Sequence, residues 1–295
     1  MKGSILNYYF MKDCIKEIPN VVKDIFPKEN SIYFNLSNFS SVSIYSFIYN
    51  PFKKDKYEMD KLIRNNYLDF IVESAILLKS SMEENDSYFT ECLLFLYGLI
   101  TTNTLRDYLY PYLKGIKKDS LNLDYALNVL DYYYAKKKDK IDLTKESIYH
   151  LFPTAYTYYD SIEQLIRNPM IKCYRFMGTN SYFKKSYKRF SKFAKRSNKT
   201  NRLWDYKFYD KLFNRKKEKK EYLIYTKNED SSLLNLKKES YIVNGIEKNE
   251  SLDQLLKMAK DKAIKRIEAL NKYLFIPKGE QEFREEFHID KLKKL

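Results

Sequence analysis

Three polar residues at helical spacing are the first candidates for chemistry. Thr102, Arg106 and Tyr110 stand four residues apart, so on a helix they share one face. A guanidinium carries a permanent charge, and a buried one requires a carboxylate or a phosphate beside it. Two interpretations follow. If this face is buried, the anion beside Arg106 is either a carboxylate in a structural ion pair or the phosphate of a ligand that Tyr110 and Thr102 help to hold.

A basic segment at 183–221 is the second candidate. Between Lys184 and Lys220 stand 16 lysines and arginines against three acidic residues, so this window carries +13 of the chain's net charge of +15. The basic surface that we assign to it consists of Lys184, Lys185, Lys188, Arg189, Lys192, Lys195 and Arg196. Aromatic residues alternate with these charges. The pattern fits an anionic membrane surface or nucleic acid, and a solvated helix face explains it equally well.

The remaining residues favour no other catalytic class. The chain has two histidines, His150 and His288, and it shows no Ser-His-Asp set, Gly-rich phosphate loop, HExxH or EF-hand spacing. Adjacent carboxylates such as Glu83 and Glu84 diverge on a helix, unlike a catalytic dyad. The three cysteines are far apart with no CxxC spacing, which indicates buried, reduced thiols.

The elements that position these residues are predicted to be helices. Only 6 glycines and 7 prolines occur in 295 residues, which disfavours a loop-rich sandwich or barrel. The longest apolar run, Cys92 to Ile100, is shorter than the ~20 residues of a membrane span. Met1 to Phe10 has no secretory signal pattern. We therefore expect a single all-α domain over 1–295, located in the cytoplasm.

Apolar periodicity places the individual helices. They are predicted at 58–79, at 88–110 with its end at Pro111, from Leu123 to Tyr134, and from a Ser251–Gln254 capping box to Leu274. Pro277 and Gly279 are expected to stop the last one. Residues 222–250 are predicted to be irregular, and the tail after Pro277 to be a weak helix or a frayed end.

Several short strings, in order along the chain, resemble the zinc-dependent phospholipase C family. Leu6-Asn7-Tyr8-Tyr9-Phe10 with Ile18-Pro19 resembles the family's opening helix, which carries a histidine before an aromatic pair and ends near a proline. Residues 95–112, with Gly98 and Pro111, resemble its central motif of Gly, His, Asp and His-Pro. Further landmarks are similar at Tyr49 to Phe52, at Tyr149 to Pro153 and in the helix from Ser251. The resemblance implies a multi-helix bundle similar to the phospholipase C and P1 nuclease-like fold.

The same resemblance implies where zinc ligands belong, and nearly all of them are replaced. The family holds its zinc ions with histidine nitrogens and carboxylates, which activate water against a phosphodiester. Its opening histidine falls on Asn7 and a histidine of the next helix falls near Arg64. The central His, Asp and His fall on Thr102, Arg106 and Tyr110, which under the resemblance face the former metal cavity. A one-residue shift would bring in Asp107 instead, but Gly98 and Pro111 argue against that shift.

Since the chain has only two histidines, no zinc or other cofactor is expected unless the resemblance is functional. The sequence predicts a non-catalytic, phospholipase C-like pseudoenzyme that binds an anionic lipid head group or a phosphorylated small molecule. The alternative is an active metal-dependent phosphodiester hydrolase of phospholipase C type, with the metal held by carboxylates and tyrosine. Nucleic-acid binding by the basic segment is the third hypothesis.

Overall fold

A computed structural model describes residues 4–18, 67–68, 71–80, 89–115, seven positions between 130 and 140, 240–243 and 245–289. These residues are mostly helical, as predicted. The elements are α1 (Ser4–Glu17), helical residues at 67–68 and 71–80, α2 (Phe89–Gly115), helical positions between 130 and 138, β1 (Tyr241–Val243), β2 (Ile246–Lys248), α3 (Leu252–Phe275) and α4 (Glu280–Glu286). Arg64 and the basic segment at 183–221 lie outside the described residues.

The long helix α2 forms the centre of the described core. Every residue from Leu93 to Leu105 is buried, as expected for a helix that is apolar nearly all round. α1, α3 and β1 all pack against it. α1 ends at Glu17, shortly before Pro19, and buries the free thiol of Cys14 as predicted. Among the described helices, none combines the length and apolarity that a bilayer crossing demands.

The prediction that Pro111 ends the central helix is wrong, because α2 continues through it to Gly115. A proline inside a helix removes one backbone hydrogen bond and costs about 3 kcal/mol relative to alanine. Packing offsets that cost here. Tyr112 is fully buried, and its ring meets the ring of Tyr241 on β1 edge to face, with centroids 5.1 Å apart.

α3 begins and ends where the sequence predicts. The Ser251 hydroxyl accepts a hydrogen bond from the Gln254 N–H at 3.2 Å, and the Gln254 side-chain oxygen accepts one from the Ser251 N–H at 2.7 Å. This is the predicted capping box. The apolar stripe of α3 lies against α2. Its buried members include Leu252, Leu255, Ala259, Ala263, Ile267, Leu270 and Leu274.

The tail after Pro277 forms a helix that packs on α3, so of the two predicted states, a helix and a frayed end, the structure shows the helix. At Gly279 the chain passes so close to α3 that a Cβ atom there would lie 2.0 Å from the Lys272 carbonyl oxygen. α4 then buries Phe283 and Phe287. The Phe283 ring stacks on Tyr273 of α3 with centroids 4.4 Å apart. α3 and α4 therefore form a tight helical hairpin.

The prediction that 222–250 is irregular is wrong for 241–248, where β1 and β2 pair antiparallel. Tyr241 lies opposite Lys248 and Val243 opposite Ile246. Gly245, between the strands, has a φ of 80°, which glycine adopts without strain. The missed signal is the Asn244-Gly245 dipeptide in the sequence, a strong marker of two-residue hairpin turns. Strands of three residues are too short to show apolar alternation, so the strict all-α expectation needs this small correction.

Candidate functional site

Polar side chains of four segments converge on Arg266 of α3. This arginine is only 7% exposed. Its Nη1 donates hydrogen bonds to the Tyr67 hydroxyl at 2.5 Å and to Thr104 Oγ1 of α2 at 2.8 Å. Its guanidinium carbon lies 5.7 Å from the centre of the Tyr67 ring. We call the surrounding set the Arg266 cluster: Tyr67, Thr104, Asp107, Lys262, Arg266 and Glu286.

Asp107 provides the first carboxylate of the cluster. Its Oδ2 lies 3.7 Å from Arg266 Nη1 and accepts a hydrogen bond from the Tyr67 hydroxyl at 2.5 Å. The Tyr67 hydroxyl therefore accepts from the guanidinium and donates to the carboxylate. This relay links α2, α3 and the helical residues near 67, since each contributes one member.

Glu286 of α4 provides the second carboxylate. Its Oε1 lies 3.7 Å from Arg266 Nε and 2.5 Å from Lys262 Nζ. Arg266 Nε is buried and has no hydrogen-bond partner among the described residues, whereas Glu286 Oε1 is held by Lys262. The contact between Arg266 and Glu286 is thus a desolvated ion pair without a hydrogen bond, and such pairs gain little net stability from their attraction.

The electrostatics keep Tyr67 neutral. Burial is the main cause that raises its pKa, followed by the negative charge of Asp107, while the nearby Arg266 acts in the opposite direction. A phenol with a raised pKa remains protonated at neutral pH. Tyr67 is therefore held as a neutral phenol that accepts a hydrogen bond from Arg266 and donates one to Asp107.

Two of the three residues that the sequence placed on one face, Thr102 and Arg106, have described side chains on α2. Thr102 is buried at 1% exposure, whereas Arg106 is partly exposed. The side chain of Tyr110 lies outside the described part, as do Arg64 and the seven residues of the basic surface. Asn7 lies on α1 and is partly exposed. The buried guanidinium of this region belongs to Arg266, which the sequence did not single out.

A detectable signal for Arg266 exists in the sequence. It follows Ala263 by three residues and precedes Leu270 by four, so it stands on the apolar stripe of α3. A charge at such a position must find a partner inside. Asp107, which a one-residue shift of the family motif would select, is that partner on α2.

A second buried carboxylate has a structural explanation. Asp131 is fully buried, and its Oδ1 accepts a hydrogen bond from the backbone N–H of Leu6 at 2.9 Å. Leu6 lies in the first turn of α1, where backbone N–H groups lack partners within the helix and the dipole favours negative charge. Asp131 therefore anchors the start of α1.

A groove of about 360 Å³ lies between α1 and α3. It is lined by Phe10, Asp13, Glu17, Tyr134, Leu256, Lys257, Lys260 and Asp261. Its charges are largely paired across the groove or along its rim. Asp13 Oδ2 lies 3.2 Å from Lys138 Nζ, and Glu17 forms an ion pair with Lys260. The groove is an open, mixed-charge surface and not an enclosed pocket.

The described residues at the implied ligand positions do not fit a zinc ion. Arg106 carries a positive charge, and the Asp107 carboxylate beside it already contacts Tyr67 and Arg266. Within the described ranges, no three His, Cys, Asp or Glu side chains are grouped to hold a metal ion. Zinc ligands in proteins are imidazole, thiolate or carboxylate groups, and a guanidinium is none of these.

In comparisons with known proteins, no family model, no curated protein and no solved structure matches this chain.

Proposed function

We propose that this chain is a non-catalytic helical protein, similar in architecture to zinc-dependent phospholipase C but without its metal site, that binds an anionic partner. The ligand chemistry is phosphate, presented by a lipid head group or by a phosphorylated small molecule. The observation that carries the proposal is the distribution of charge. The window from Lys184 to Lys220 holds +13 of the net +15, so the remainder of the chain carries +2.

Contacts within α2 support the non-catalytic part of the proposal. Thr101 donates to the Tyr97 carbonyl and Asn103 to the Leu99 carbonyl, each at 2.8 Å. Asp107 is engaged by Tyr67 and Arg266. Each of these polar groups has a partner within the fold, as a structural role requires.

A concentrated basic segment suits an anionic surface for a simple electrostatic reason. Each lysine or arginine close to a membrane that contains acidic lipids contributes about 1 kcal/mol of attraction. The alternating aromatic rings, nine of them between Tyr182 and Tyr222, suit the interfacial region where apolar bodies and polar tips are both accommodated.

Vesicle co-sedimentation tests the proposal directly. The full chain should bind vesicles that contain phosphatidylserine and not vesicles of phosphatidylcholine alone, and binding should weaken as salt rises. Replacing the seven residues of the basic surface with glutamine should reduce binding at least tenfold. Inorganic phosphate and a duplex oligonucleotide, added as competitors, distinguish a free phosphate ligand and nucleic acid from a lipid surface.

A matched control removes the same number of charges elsewhere. Seven exposed lysines of the described part are suitable: Lys16, Lys136, Lys138, Lys248, Lys257, Lys265 and Lys278. Their replacement by glutamine should leave most of the binding intact. Equal losses in the two variants would show that only total charge matters and would contradict the proposal.

A further inference from the structure

Glu286 stands in the position that an external anion would take beside Arg266. Its carboxylate approaches Arg266 Nε at 3.7 Å and Lys262 Nζ at 2.5 Å, two cationic groups on consecutive turns of α3. An arginine fork with a neighbouring ammonium is a common arrangement for binding carboxylate or phosphate in proteins. In this structure the anion comes from the chain itself.

The charge balance of the cluster depends on Glu286. Arg266 and Lys262 supply two positive charges, and Asp107 and Glu286 supply two negative ones. If the Glu286 carboxylate leaves, one positive charge remains uncompensated beside a buried guanidinium. That situation is costly unless another anion enters.

The fit of Glu286 leaves room for competition. Arg266 Nε is buried and lacks a hydrogen-bond partner among the described residues, because Glu286 Oε1 approaches it only to 3.7 Å. A free oxyanion that approached Nε to hydrogen-bond distance would satisfy a donor that Glu286 leaves unsatisfied. Glu286 competes because it is tethered, which gives it an effective concentration of the order of mM or higher.

Few buried side chains hold α4 on α3, so the helix can separate as a unit and carry the Glu286 carboxylate with it. It has seven residues, and its apolar contacts with the rest of the described chain are centred on Phe283 and Phe287. An exposed ion pair between Lys272 and Glu282 adds little to its attachment. Short helices attached by few buried side chains open at lower free energy than the core.

We propose that Arg266 and Lys262 form an oxyanion-binding site that Glu286 occupies intramolecularly, with α4 as the element that yields when a carboxylate or phosphate ligand binds. The inference rests on the proposed function in one respect, because it gives the anionic ligand a second contact apart from the basic segment. The site is built by residues that the basic segment does not contain, so the two can fail separately.

Chemical rescue tests the site itself. Glu286→Ala should lower the unfolding midpoint, and inorganic phosphate or acetate, at ionic strength matched with chloride, should restore roughly 2–4 °C of it in a saturable manner. Glu282→Ala removes the same charge from the same helix without touching the cluster, and it should show no such recovery. Glu286→Ala combined with Arg266→Met should also show none. Equal responses of Glu286→Ala and Glu282→Ala overturn the proposal.

The wild-type protein supplies an independent measurement that needs no folded variant. Inorganic phosphate should reduce the hydrogen-exchange protection of α4 amides while leaving α3 protected. The phosphate titration extends to about 100 mM. If the α4 amides stay equally protected at concentrations that rescue Glu286→Ala, or at the end of the titration, the helix is not released and the proposal is contradicted. Vesicle binding by Glu286→Ala through the basic segment should persist, and its loss would count against the proposed function and not against this site.

Discussion

At the scale of single residues, two buried tyrosines differ in whether their hydroxyl groups are hydrogen-bonded. The Tyr67 hydroxyl donates to Asp107 and accepts from Arg266, each at 2.5 Å. The Tyr9 hydroxyl is buried with no hydrogen-bond partner among the described residues. Tyr67→Phe should therefore cost about 1–3 kcal/mol of unfolding free energy, because Asp107 and Arg266 both lose a partner.

Tyr9→Phe is the matched control, since it removes the same atom from an unsatisfied site. It should be neutral or slightly stabilising, because an unpaired buried hydroxyl carries a desolvation penalty. Urea unfolding of both variants measures the difference. A loss for Tyr9→Phe as large as for Tyr67→Phe would show that the hydrogen bonds of the Arg266 cluster are not the cause.

Glu250 carries a pH dependence whose sign is fixed by its contacts. Its own backbone N–H, and then the Tyr241 hydroxyl at 3.0 Å, hydrogen-bond the carboxylate and lower its pKa from the ordinary value of 4.5. Because the folded pKa is below the unfolded one, this stabilisation is complete above pH 4.5 and is lost as the pH falls through the folded pKa.

Glu250→Gln should therefore be less stable than wild type at pH 7, and the gap should close towards pH 3. Urea unfolding across this range checks the trend. Glu247→Gln removes an exposed carboxylate from the neighbouring strand and controls for the loss of one charge. A gap that stays constant from pH 7 to pH 3 would contradict the assigned interaction.

At the scale of elements, the turn between α3 and α4 requires glycine at position 279, because a side chain has no room there. A Cβ atom at Gly279 would lie 2.0 Å from the Lys272 carbonyl oxygen and 2.8 Å from the Tyr273 nitrogen, both rigid backbone atoms. Gly279→Ala should therefore push α4 away from α3 and cost about 1–3 kcal/mol, the usual penalty of overpacking. Hydrogen exchange should show loss of protection at the Phe283 and Phe287 amides.

Gly245→Ala separates this steric effect from backbone strain. A Cβ at Gly245 would meet nothing within 4 Å, but its φ of 80° disfavours any other residue by about 1–2 kcal/mol. That variant should lose stability while α4 stays protected. If both variants release α4 equally, the close approach at Gly279 is not what holds the helical hairpin together.

Predictability from sequence differed among the elements for physical reasons. α3 was predictable because a capping box, an apolar stripe interrupted only at Arg266, and Pro277 all agree. The end of α2 was not, because the packing of Tyr112 on Tyr241 outweighs the local effect of Pro111. The β-hairpin was not predicted from the sequence because its strands are short, although the Asn244-Gly245 dipeptide indicates its turn.

The candidate site was harder to predict than the helices. The spacing places Thr102, Arg106 and Tyr110 on one face of a helix. It does not predict which residues of a helix that is buried nearly all round contact a cation on a neighbouring helix. Among the described residues the buried cation is Arg266, which lies 160 residues from Arg106 in sequence. Its contacts with Tyr67 and Asp107 join distant segments, and no local pattern encodes such contacts.

At the scale of the whole molecule, most of the net positive charge and the described core belong to different parts of the chain. Two buried charged groups of the described helices are held in different ways: Arg266 lies beside two carboxylates, and Asp131 accepts a hydrogen bond from the backbone N–H of Leu6. Most of the net positive charge belongs to the basic segment. Under the proposed function, anions bind through this segment, while stability depends on contacts within the described helices. The seven-residue glutamine variant should therefore keep its unfolding midpoint while its vesicle affinity falls.

The competing hydrolase hypothesis makes a different claim about the whole molecule, because a structural or catalytic zinc cluster contributes folding free energy and its removal destabilises the protein. With two histidines, the chain has few of the neutral nitrogen ligands on which polynuclear zinc centres usually depend. We expect purified protein to contain well under one zinc per chain by elemental analysis. A chelator such as EDTA should leave the unfolding midpoint unchanged within about 1 °C, since a 1 kcal/mol loss would already shift it by 2–4 °C. Stoichiometric zinc together with a chelator-induced drop would instead establish a metal centre and favour the phosphodiester hydrolase.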